Sequence, residues 1–268
     1  NHAIWDGGAL ATYAKVDISD SVFSGNTAAV TAGGITGDAS NSDGGGAIMV
    51  GGTSDVSLTN VQFIGNESAV RGGAVSARHG TNYSLDMDTV EFTNNKSGNF
   101  GGAVASVYQG VVNINNGQFS GNEAAKAGGA IYIGKDTNYG VVGGVTSTNH
   151  GILNLSGENV FTGNTAGEKG GAIYADEGAT SNLSGTNTFS ENTAGGVAND
   201  IYNLGALNIT GGTTTIGSGI DGTGSLNVSS GATLDIGTAK VVQDTITFDA
   251  GSTLKANLLN TTSYGSLE

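Results

Sequence analysis

The chain has neither cysteine nor proline in 268 residues. Without cysteine there is no disulfide framework and no thiolate metal site. Without proline, neither a collagen-like triple helix nor a proline-rich linker can form. Charge is scarce too, with only 12% of residues Asp, Glu, Lys or Arg. A chain so thinly charged cannot stay expanded by self-repulsion, which excludes a disordered acidic tail. The charges are also lopsided, 9 basic against 23 acidic for a net −14, and no basic cluster offsets them. Such a field repels nucleic acid, anionic lipid surfaces and polyanionic sugars. No apolar run approaches the roughly 20 residues of a transmembrane helix, so no membrane span is expected here. Asn1 opens no signal peptide and Leu267-Glu268 reads as a vector-derived pair. A fragment of a longer exported chain is therefore expected.

What is abundant is glycine, 48 of the 268 residues, well over twice the roughly 7% usual in proteins. Apolar residues make up 37%, many of them β-branched, which favours strands. Internal repetition then dominates the pattern. Phe-x-x-Asn occurs six times, at Phe23/Asn26, Phe63/Asn66, Phe92/Asn95, Phe119/Asn122, Phe161/Asn164 and Phe189/Asn192. Between these copies stands Gly-Gly-Ala followed by Ile, Leu or Val, at 7–10, 45–48, 72–75, 101–104, 128–131 and 170–173.

The Phe-to-Phe steps are 40, 29, 27, 42 and 28 residues, and the two long ones can be traced. From Asn to the next Gly-Gly is 6 residues in four copies and 19 in the first, which places an insertion at 31–43. The 33 residues from Gly128 to Phe161 place a second insertion at 135–149. With both removed, one repeat is about 28 residues.

Within a repeat, polarity alternates with period two, as in Val111-Val-Asn-Ile-Asn115, and no helical period is sustained. Three short strands per coil, stacked in parallel about 4.8 Å apart, fit this pattern. The expected fold is therefore all-β, a right-handed single-stranded parallel β-helix. In it Phe points inward and stacks, Asn bonds its counterparts above and below, and the Gly pair permits positive φ and close backbone approach.

After Asn192 the pattern decays, and the Gly-Gly-Ala-Ile slot reads as Asn199-Asp200-Ile201-Tyr202. Residues 1–203 are thus the repeat β-helix, and 204–268 are expected to continue it as shorter coils.

The repeated Phe-x-x-Asn with Gly-Gly-Ala-(Ile/Leu/Val) resembles the passenger regions of polymorphic membrane proteins, the chlamydial autotransporter family. Gly-Ser-Leu-Asn-Val and Gly-Ala-Thr-Leu-Asp-Ile, within 205–259, look like the downstream passenger coils of other autotransporters. The resemblance implies a right-handed β-helix exported by type V secretion and acting in adhesion or host contact. Its place would be the bacterial cell surface, anchored in the outer membrane in the full-length protein, or the extracellular medium.

No catalytic constellation emerges from the residues. His2, His79 and His150 lie in different coils, and Gly-x-Gly-x-x-Gly at 217–222 lacks a βαβ setting. No calcium loop has the needed ligand spacing, so neither metal nor cofactor is expected. The strongest enzymatic alternative is a glycan-active β-helix hydrolase or lyase, with Asp86 and Asp88 on one strand face and Glu91 nearby. Arg71 and Arg78 are the only arginines a polyanion could meet.

For binding, the residue after the inward Ile should point outward. It is Tyr132, Tyr174 and Tyr202 in three coils, after Ala11, Met49, Ser76 and Ala105 in earlier ones. That strip is a candidate contact for a host cell-surface protein or neutral glycan, against the plainer role of an outer ladder that steadies the solenoid. The second insertion, with Tyr139, Val141 and Val142, is the other candidate, since recognition concentrates in loops on a rigid scaffold. Self-association between solenoids is a third reading.

Overall fold

A computed structural model describes residues 1–29, 44–78, 83–135, 151–260 and 263–268. The strands form three long sheets of eight, ten and fourteen strands and a separate two-stranded pair. Pairing within the long sheets is parallel throughout, apart from one hairpin at the end of the eight-stranded sheet. Successive turns of chain add one layer to each sheet, so the fold is a parallel β-helix. The register is that of the repeat: Phe23 pairs Phe63, then Phe92, Phe119, Phe161 and Phe189. The 40- and 42-residue steps therefore close in register across both insertions.

Each motif residue has a distinct physical task. The phenylalanines point inward, and Phe63, Phe92, Phe119, Phe161 and Phe189 are fully buried. Their rings stack with centroids 4.7–5.1 Å apart and planes within 10°. The coil spacing imposes this face-to-face offset stack, and burial of each ring is worth about 1.5–3 kcal/mol.

The asparagines form an inner ladder. Asn26, Asn66, Asn95, Asn122 and Asn164 each donate from Nδ2 to the next Oδ1 at 2.9–3.0 Å. The backbone N–H of each rung donates to the same oxygen. From Asn66 onward, the second amide hydrogen goes to the Phe carbonyl one coil back. From Asn66 to Asn192, both amide hydrogens and the amide oxygen are thereby used.

The paired glycines serve two separate needs. The first has positive φ, 57–74° at Gly7, Gly45, Gly72, Gly101, Gly128 and Gly170. The second lies where coils touch: a Cβ at Gly46, Gly73, Gly102 or Gly129 would fall 2.0–2.1 Å from a carbonyl oxygen of the next coil. No side chain fits there.

Three strands per coil hold both early and late in the chain, as in Asp55–Ile64, Glu67–Ser68 and Val75–Arg78 and again in Ala206–Ile209, Thr213–Ile216 and Ile220–Asp221. The long strands Val16–Ser24, Asp55–Ile64, Ser84–Thr93 and Val111–Ser120 each bend at a left-handed residue: Asp20, Asn60, Thr89 and Asn116. That residue shifts the inward parity by one, so Val56 and Leu58 are buried before the bend and Val61 and Phe63 after it. From residue 151 on, the bend becomes a break, as between Ile152–Ser156 and Glu158–Thr162. The coil from 152 to 175 therefore carries four strands.

The repeat unit ends in two ways at once. Thr193–Ala194 pairs antiparallel with Val197–Ala198 through Gly195-Gly196, both at positive φ. This primed-type hairpin closes the eight-stranded sheet with an edge only two residues long. The last inner rung, Asn192, donates to Asp200 Oδ1 at 2.8 Å in place of a further asparagine. Register pairs Ile173 with Ile201, so Asp200 takes the Ala position of the motif and Asn199 the second Gly. The slot lies one residue earlier than the sequence reading had it. Asp200 is fully buried. Burial raises its carboxyl pKa, while Asn192 and the N–H groups of Ser218 and Gly217 pull it back. Beyond it, strands such as Ala206–Ile209, Ser225–Val228 and Thr233–Gly237 stack on the remaining two sheets.

Two substitutions test this account. Asn122→Ala strips the acceptor from Asn95 N–H and Nδ2 and the donor from the Phe92 carbonyl. Denaturant unfolding should show a loss of about 3 kcal/mol, the sum expected from a few orphaned buried groups. Gly102→Ala should disrupt stacking outright, whereas Gly163→Ala, with nothing within 4 Å, should cost only the left-handed backbone penalty of about 1 kcal/mol. Equal effects at the two glycines would refute the close-approach role.

Candidate functional site

Where an inward Ile or Val is followed by an outward residue, the ten-stranded sheet builds an external column. Tyr132, Tyr174 and Tyr202 are in direct register. Their rings stack at 5.2 and 5.7 Å, and Phe100 adds a fourth ring at 4.6 Å from Tyr132. Phe100 was not foreseen, because it lies just before a Gly-Gly pair and belongs to neither motif.

The column departs from the expected strip in one respect: Tyr132 is 2% exposed. Its ring joins Phe100, Val107 and Ala127 in a second, outer apolar cluster. Tyr174 and Tyr202, half-buried, are the ones that reach solvent. Burial raises the Tyr174 phenol well above its ordinary pKa, helped by the Asp176 carboxylate. Lys169 Nζ lies 4.3 Å from the Tyr202 ring centroid and donates to its hydroxyl at 2.8 Å. Lys126 Nζ is 5.7 Å from the Phe100 centroid. Because neighbouring rings cover one another's faces, this surface offers edges and hydroxyls rather than the open ring faces on which sugars stack.

Tyr139, Val141 and Val142 lie outside the described residues, as do His79, His150 and nearly all of both insertions. The stem of the second insertion is described. Lys135 N–H donates to Asp176 Oδ2 at 3.1 Å, its carbonyl accepts from Tyr132 at 2.7 Å, and its ammonium meets Glu177 at 3.3 Å.

The carboxylates of the enzymatic alternative do come together. Asp86 and Asp88 line a shallow groove of about 520 Å³ with Asn113, Asn115, Asn154 and Ser156. Both are already engaged. Asp86 accepts from Asn113 at 2.6 Å and Ser84 at 2.9 Å, and Asp88 from Asn115 at 2.8 Å. Glu91 lies beyond the bend and accepts from Gln62 and Thr93. Arg71 and Arg78 are 0% and 1% exposed, so neither presents a guanidinium to a polyanion. Among the described residues, no three His, Asp or Glu side chains gather as metal ligands, and no helix is long and apolar enough to cross a membrane.

One further rung escaped the motif search. The nitrogen of Asn1 donates to Asn26 Oδ1 at 3.2 Å, as each later rung's does to its successor. The 6-residue spacing from Asn1 to Gly7 is the signal that could have found it.

Stacked Phe, Asn and Gly in register over successive coils define a repeat protein of the parallel β-helix class. Residues 89–107, 116–134 and 160–176 match the Chlamydia polymorphic membrane protein repeat. The chain thus carries that repeat three times, in a passenger-like β-helix, and each matched stretch holds one Phe-x-x-Asn and one Gly-Gly-Ala. Comparison with curated proteins and with solved structures gives no match.

The outer column makes a graded prediction. Tyr132→Ala should destabilise by about 3 kcal/mol, as for removal of a buried aromatic, and Tyr202→Ala by about 1 kcal/mol, both read from thermal unfolding. A larger loss at Tyr202 than at Tyr132 would contradict the burial gradient.

Proposed function

We propose that this chain is part of a bacterial surface-displayed or secreted autotransporter passenger that acts as a non-enzymatic adhesin, binding a host cell-surface protein. The repeat match carries the first half of the reading. The second half rests on one observation, that the motif side chains are consumed inside the solenoid. Phe, Asn and Gly-Gly hold coil to coil, which leaves function to the lateral surface and to what projects from it. The edge of Tyr174 and Tyr202 is the described part of that surface best suited to a protein partner, since amphipathic tyrosines contribute contact area and hydroxyl hydrogen bonds together. The second insertion begins beside them at Lys135, whose N–H bonds Asp176 and whose carbonyl accepts from Tyr132.

Binding of the labelled chain to host cells tests the proposal. The double variant Tyr174→Ser/Tyr202→Ser should reduce cell binding at least tenfold with the fold retained, and deletion of 136–149 should do the same. Undiminished binding by both variants would remove this side of the solenoid from consideration.

A glycan-active enzyme is the second reading, supported by the groove at Asp86 and Asp88. Against it, both carboxylates are already engaged by neighbouring amides, Asp86 by Asn113 and Asp88 by Asn115. Turnover of a neutral polysaccharide, abolished by Asp86→Asn or Asp88→Asn, would replace the adhesin reading. Self-association remains the third, and a strict monomer by light scattering at high concentration would count against it.

A further inference from the structure

We infer that the Asp86 carboxylate sets the direction of a single-file amide ladder that links the groove to a point four coils away on the outer face. Asp86, Asn113, Asn154, Asn182 and Asn208 are in register on successive strands. Asn208 Nδ2 donates to Asn182 Oδ1 at 2.9 Å, Asn182 to Asn154 at 2.9 Å, and Asn154 to Asn113 at 2.7 Å. Asn113 donates to Asp86 Oδ1 at 2.6 Å. At a coil spacing of about 4.8 Å the ladder spans roughly 19 Å. Asn227, next in register, turns its amide to Ser229 instead, so the ladder begins at Asn208.

This ladder differs from the buried one in what holds its direction. In the inner ladder, a backbone N–H enters every Oδ1 and a Phe carbonyl receives the spare amide hydrogen, so each rung is oriented locally. The outer rungs bond only to other side chains. A carboxamide presents a donor end and an acceptor end of nearly equal shape, so all four can turn over together and bond equally well in reverse. A carboxylate only accepts, and therefore tolerates only the donor end of such a file. Among the described residues the same rule holds at other meetings of asparagine and aspartate. Asp88 receives Asn115, Asp20 receives Asn60, and Asp200 receives Asn192. The inner and outer ladders run in opposite senses along the axis, and each ends at its donor end on a carboxylate.

Asp86 is consequently a positioning residue for amides it does not touch. A ligand in the groove that took its Oδ1 from Asn113 would free the file to reverse, and Asn208 would then present a changed hydrogen-bond face. Mutual polarisation along the file favours all-or-none behaviour.

Side-chain amide NMR on the ¹⁵N-labelled chain tests this. Asp86→Asn should double the Asn182 and Asn208 NH2 resonances, or lower their hydrogen-exchange protection at least tenfold. Asp88→Asn, whose partner Asn115 is outside the file, should leave both unchanged. Single, unshifted Asn182 and Asn208 signals in Asp86→Asn would overturn the inference. If that variant fails to fold, Asn154→Ser decides. Cutting the file there should loosen Asn182 and Asn208 while Asn113 keeps its protection, and an unaltered Asn182 and Asn208 would again refute it.

Discussion

The separation between coils is the constraint on which the rest depends. Two backbones can approach this closely only where no side chain intervenes, and the second glycine of each pair provides that place. A Cβ there would lie 2.0–2.3 Å from the neighbouring carbonyl in all six pairs. Once the spacing is fixed, amides at equivalent positions meet at 2.9–3.0 Å and phenyl rings at 4.7–5.1 Å. The asparagine and phenylalanine ladders thus follow from the glycine contact. A bulkier coil junction would stretch the amide bonds past useful length and part the rings together. The motif is one device in three parts, which is why Gly, Phe and Asn recur at a shared period.

Most of this was legible in the sequence because a solenoid turns linear period into spatial register. The two insertions were found by arithmetic, and Phe23–Phe63 and Phe119–Phe161 stack in spite of them. Features that break the period were illegible. The left-handed corner at Asp20, Asn60, Thr89 and Asn116 has no common residue type, so the parity switch it causes could not be read. The Gly195-Gly196 hairpin was equally hidden, since paired glycine marks both a coil junction and a primed turn.

Candidate sites were less legible, for the opposite reason. Outward residues are not held to a period by the core, and what covers them depends on distant segments. Alternation assigned Tyr132 an outward direction, yet Phe100, 32 residues earlier, packs against its ring and buries it. Arg71 and Arg78 are likewise fully buried, which no local pattern announced. Asp86 and Asp88 were recognised as a pair. Their partners Asn113 and Asn115 lie 27 residues on, a distance with meaning only once the coil length is known.

The aspartates show how a stacked solenoid restricts chemistry on its own surface. Parallel stacking repeats every side chain at the coil interval, so like groups face like groups. Amides tolerate this because each donates and accepts, but a column of carboxylates would repel itself. An aspartate therefore belongs at the end of a file, where a single acceptor is wanted, as at Asp86 and Asp200. A ladder-built face supplies standing donors by construction. The regularity that stacks the motif residues thus also fixes how the aspartates of the flat faces are hydrogen-bonded.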